Sequence, residues 1–121
     1  MSQIADLLLV LRHGPYGGLN AREGLDAALT AAAFEVPLSL LFLNDGIYLL
    51  QSDQQPGQLP AKDLSKTVPA LAMYDIERLY VRSRDLEQRG MKPEQLVVEV
   101  EVLDDEQAAN LFHQHRHILS F

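Results

Sequence analysis

No cysteine occurs anywhere in the 121 residues. That absence excludes disulfides, thiolate metal sites, thiol nucleophiles and persulfide carriage on this chain. Basic residues are outnumbered, with 10 Lys and Arg against 17 Asp and Glu and a formal charge of -7. A field of that sign repels nucleic-acid phosphates and disfavours nonspecific RNA binding. Long apolar runs are also missing. Leu7 to Leu11 is stopped at once by Arg12, and nothing approaches the ~20 apolar residues that span a bilayer. The start, MSQIADLLLVLRHG, lacks the basic opening of a signal peptide. A soluble, cytoplasmic protein is the expectation.

What remains is a globular composition, 47% hydrophobic and 22% charged. A chain of this length has room for one core, burying roughly 65 to 70% of its unfolded surface. IADLLLVL (Ile4 to Leu11) and PLSLLFL (Pro37 to Leu43) are short apolar runs bounded by turn residues, the pattern of strands covered on both faces. Between them, Leu25, Ala28, Leu29 and Ala32 repeat at helical spacing, and Asn20 with Glu23 predicts an N-cap and capping box. QSDQQPGQLP reads as a surface loop. A helical stretch follows around Lys62 to Met73, distorted at Pro69. IERLYV (Ile76 to Val81) predicts a third strand and SRDLEQR a brief helix that Gly90 ends in a left-handed conformation.

LVVEVEVL sets Val98, Val100 and Val102 on one face and Glu99 and Glu101 on the other, as an edge strand would. Asp104 then caps DEQAANLFHQH with Gln107 in the box position and Leu103 and Ala108 as a hydrophobic staple, and HILSF closes as a fifth strand. Strands alternating with helices need crossover connections. The predicted fold is therefore a three-layer α/β/α single domain with a mainly parallel sheet of about five strands.

Four constellations could carry chemistry. Arg12, His13 and Gly14 at a strand end resemble the signature of the histidine phosphatases, in which a histidine is phosphorylated beside arginines. The spacing to Asn20 is longer than usual, the chain is too short for that fold, and no later strand-end His-Gly supplies a second histidine. The alternative function on these residues is a small phosphate-binding or histidine-phosphatase-like protein using Arg12 and His13. His113, His115 and His117 alternate as metal ligands on a strand could. His113, however, reads as the last turn of a helix, and His115 and Arg116 as the turn after it. Asn44, Asp45 and Gly46 form a routine turn at a strand end, where open α/β sheets place functional groups. YVRSRDLEQRGM (Tyr80 to Met91) is a strand-to-helix junction, a common seat for a nucleophile, yet it offers arginines and a serine. Arg82 and Arg84 sit poorly against the positive end of a helix dipole, a conflict that points to an acidic partner.

Taken together, AREGLDAALTAAAF, LSLLFLNDGIYLL, AMYDIERLYVRSRDLEQRG and the closing ILSF resemble the TusC (DsrF-like) family within the DsrE/DsrF group. The likeness covers nearly the whole chain, and REGLDA and YDIE are its most distinguishing stretches. It implies a single DsrE/F-like domain over residues 1–121. It also implies a heterohexamer with TusB-like and TusD-like subunits, the TusBCD sulfur relay complex. Such a complex passes persulfide sulfur from a TusA-like to a TusE-like protein, toward 2-thiouridine at the tRNA wobble position. The resemblance puts the sulfur-carrying cysteine on the TusD-like subunit, at the junction equivalent to Val81 to Ser83 here. The expectation for this chain is a non-catalytic accessory subunit with no catalytic residue, cofactor or metal. Asp45, Gly46, Tyr80, Arg82 and Arg84 are its candidate interface or pocket.

Overall fold

A computed structural model describes residues 4–15, 19–51 and 67–121. Five strands, β1 (Ala5–Leu11), β2 (Leu38–Phe42), β3 (Leu79–Arg82), β4 (Glu101–Leu103) and β5 (His115–Ser120), form one sheet in the order β4-β3-β2-β1-β5. Every pairing is parallel. The helices among the described residues are α1 (Asn20–Ala33), α2 (Thr67–Ala70), α3 (Ser83–Gln88) and α4 (Asp105–His113), with 3₁₀ turns at Asn44–Leu50, Leu71–Tyr74 and Pro93–Gln95.

Handedness explains the layering. From β1 to β4 the chain steps along the sheet in one direction, and right-handed crossovers put α1, α2 and α3 on one face. The step from β4 back across to β5 reverses direction, so α4 lies on the other. Two cores result. Leu9, Leu11, Leu40, Phe42 and Val81 pack with Leu25, Ile47 and Leu86 on the crowded face. Leu8, Val10, Leu41, Tyr80 and Leu103 pack with Ala108 and Leu111 of α4 on the other. A clamp joins α4, β5 and β2 there: buried His115 has Nδ1 2.9 Å from the Leu111 carbonyl and Nε2 2.8 Å from Ser39 Oγ. The carbonyl can only accept, so Nδ1 carries a proton.

Local signals held where both partners are close in sequence. Asp104 accepts from the Gln107 amide at 2.7 Å while Gln107 Oε1 accepts from the Asp104 amide at 2.9 Å, a complete capping box. Gly90, with φ of 63°, follows α3. Other boundaries moved. The N-cap of α1 is Leu19 without a side-chain bond, and Asn20 is the first helical residue. β3 begins at Leu79 because the Ile76 amide donates to the Leu71 carbonyl (3.2 Å), behind a left-handed Asp75. β4 pairs over only three residues. Before it, Leu96 bridges antiparallel to Gln51, which draws Val98 and Val100 against the main core while Val102 is exposed. β5 starts at His115, so His115 and Arg116 belong to the strand and not to the turn before it. Within the Lys62 to Met73 stretch, the described part is α2, containing Pro69, which continues as a 3₁₀ turn. The loop in QSDQQPGQLP after Gln51 lies outside the described residues.

Candidate functional site

Parallel strands deliver their carboxyl ends to one edge. Gathered there are Arg12 and His13 after β1, Asn44 and Asp45 after β2, Arg82 and Ser83 at the β3–α3 junction, and Asp104 after β4. At the centre is Asp85, fully buried although charged. It accepts from Arg82 twice, Nε at 3.0 Å and Nη2 at 2.9 Å, the bidentate geometry a guanidinium offers a carboxylate. Arg89 Nη1 stands 3.8 Å from the same carboxylate and its Nη2 reaches Asp45 Oδ1 at 2.9 Å. Arg82 also donates to Asn44 Oδ1 at 3.3 Å, and Arg89 lies over the Tyr48 ring at 6.0 Å. A buried charge is tolerable only when paired and hydrogen-bonded. Here two guanidiniums meet that condition.

Gly46 holds the loop against β1. A Cβ at this position would lie 1.9 Å from the Leu11 carbonyl oxygen, so only glycine allows the approach. Arg84 pairs with Asp105 at the exposed start of α4. That hydrogen bond, then the guanidinium charge, lowers the Asp105 carboxyl below its usual range. The awkward placement of Arg82 and Arg84 at a helix start is thus answered by carboxylates of the same chain.

Of the residues proposed from sequence, Asp45, Gly46 and Arg82 come together and Arg84 lies beside them. Tyr80 does not join them: it faces the α4 side of the sheet with Leu103 and Leu111. Asp85 and Arg89 are central and escaped sequence reasoning. Their signal was present as the i,i+3 spacing of Arg82 with Asp85 and the i,i+4 spacing of Asp85 with Arg89.

Among the described residues, no second histidine joins Arg12 and His13 at the end of β1. His13 is exposed with Nδ1 3.4 Å from Asn20 Nδ2. His115 and His117 are in register with Ala5 and Leu7, near the opposite end of the strands. Among the described residues, no group of three or more His, Asp or Glu could hold a metal ion. None of the described helices is long and apolar enough to cross a membrane.

Fold and site together define a small parallel α/β domain whose strand-end edge is filled by an arginine–carboxylate network and carries no thiol. Residues 5–121 match the DsrE/DsrF-like family, and the chain belongs to it. It is 41% identical over 120 residues to a protein TusC homolog of Pseudomonas aeruginosa, covering 99% of each chain. A protein TusC homolog of Vibrio vulnificus is 36% identical over 118 residues, covering 98% of this chain and all of that one. The crystal structure of the YchN protein of E. coli shares the fold, with a TM-score of 0.82 at 18% identity over 98% of this chain and all of that one.

Proposed function

We propose that this chain is the TusC-like, non-catalytic subunit of a TusBCD-type sulfur relay complex that supports 2-thiolation of the tRNA wobble uridine. One observation carries the reading. At the β3–α3 junction, where the family resemblance places the carrier's cysteine on the TusD-like subunit, this chain has Arg82 and Ser83, and Arg82 is committed to the buried Asp85. A persulfide relay needs an activated thiolate. A subunit without one contributes by positioning its neighbours, and Asp45, Gly46, Arg82 and Arg84 belong to the face through which it does so. The likeness to TusC homologs supports the same reading.

The test is co-expression with TusB-like and TusD-like chains, followed by native mass spectrometry and intact-mass analysis after exposure to a persulfide donor. One defined complex is expected, with reducible sulfur on the TusD-like chain and none on this one. Deleting the chain should lower wobble 2-thiouridine, and His13→Ala should leave it unchanged. A chain that ignores both neighbours while thiouridine survives its deletion would overturn the proposal.

A further inference from the structure

On the α4 side of the sheet, away from the arginine network, two adjoining hollows meet at Tyr80 and Glu101. The larger, about 630 Å³, runs along the starts of β3 and β4 and is lined by Asp75, Glu77, Glu99 and Glu101, with Arg78 as its single cation among the described residues. The smaller, about 270 Å³, lies under α4, with Ile4, Leu103 and Leu111 as its apolar lining. Gln107, Asn110 and Gln114 supply its polar rim.

Carboxylates on a surface are commonplace, but Tyr80 is not. Its residue surface is 9% exposed, yet the described residues bury no side-chain oxygen without a hydrogen-bond partner, so the Tyr80 hydroxyl, bonded to no described residue, opens into the hollows that it lines. A phenol with a buried ring and an open O–H suits a place where one end is apolar and the other meets water or a partner. Tyr80 and Glu101 are cross-strand neighbours in register, so phenol and carboxylate flank the point where the hollows join. Burial first, and then the Glu101 charge, raise the Tyr80 pKa above the usual phenol value and keep it a neutral group able to donate or accept.

We propose that this hollow receives an arginine or lysine side chain from a basic segment of a partner protein, with the cationic head between Glu101, Glu99 and the Tyr80 hydroxyl. Four observations select that occupant. Four carboxylates against one guanidinium favour a cation and reject phosphate. The apolar lining beneath suits a methylene stem that buries while its charged head stays with polar groups. The carboxylates also form no metal-holding group, which disfavours a bare divalent ion and favours a charge spread over several donors. β4 is an edge strand, so an extended polypeptide has backbone to run beside. This site is independent of the sulfur-relay reading.

The experiment is fluorescence anisotropy of a labelled Gly-Arg-Gly-Arg-Gly peptide with the full chain, alongside amide NMR shift mapping. The same peptide carrying citrulline in place of arginine is the neutral comparison. Binding of the arginine peptide is expected to shift Tyr80, Glu99, Glu101 and Asn110. Glu101→Gln should weaken it about tenfold, the size of one charge-assisted hydrogen bond, and Tyr80→Phe about threefold. Glu87→Gln, which changes net charge equally on the exposed face of α3, should leave affinity within twofold. Equal weakening by Glu87→Gln, equal binding of the citrulline peptide, or shifts confined to other surfaces would overturn the proposal. So would the absence of any binding at low salt.

Discussion

At the scale of single residues, charge burial decides most. Asp85 is fully buried while the Arg82 and Arg89 side chains remain 21% and 16% exposed. Truncating the carboxylate leaves two guanidiniums without their shared anion, yet both keep some solvent. Asp85→Ala should therefore cost about 3 kcal/mol, the low end for breaking a buried pair. Urea denaturation reads it directly, and a loss under ~1 kcal/mol, the scale of exposed pairs, would show that the network is ornamental. Tyr80 gives a signal in pH. Its folded pKa is raised, by burial and then by Glu101, so below the phenol's ordinary value both folded and unfolded chains hold the proton and stability is unaffected. Above that value the unfolded chain ionises first, and stability falls until the folded phenol titrates too. Glu101→Gln should lower the Tyr80 titration midpoint toward 10.0, followed by phenolate absorbance against a Tyr80→Phe background.

At the scale of elements, glycine marks where connections press on the sheet. Gly46 meets the backbone of β1, whereas a Cβ at Gly24 of α1 would meet a movable side chain, Leu11 Cδ2 at 2.3 Å, and Phe121 at 3.1 Å. Gly24→Ala should cost about 1–3 kcal/mol of overpacking, partly offset by ~1 kcal/mol of helix propensity. Gly46→Ala has neither relief nor compensation. It should exceed ~4 kcal/mol, and thermal melts of the two variants should rank them in that order. The same distinction between near and distant partners governs what the sequence discloses. The Asp104–Gln107 box spans three residues and was legible. So were β1 and β2, whose apolar runs match their burial on both sides. Arg89 to Asp45 spans 44 positions, and no local pattern announces it. The start of β3 was misplaced because a tertiary-stabilised turn captures the Ile76 amide, overriding strand propensity. Asn20 failed as a cap because Leu19 occupies that position.

At the scale of the whole molecule, the two sheet edges differ. β4 is three residues long and bears the acidic Glu101, preceded by Glu99. β5 is six residues long and leaves Ile118 44% and Leu119 47% exposed. Purified without neighbours, the chain should self-associate through β5. Sedimentation velocity should show a dimer, and Ile118→Glu with Leu119→Glu should return it to monomer. A dimer unchanged by the double substitution would move the contact elsewhere. An open strand edge is a template for indefinite addition, and short acidic edges are one means of preventing it. If β5 pairs with its own copy, the acidic β4 edges left outermost should repel one another, so growth should end at two: the contact would close on itself and present no end to which a further copy could add.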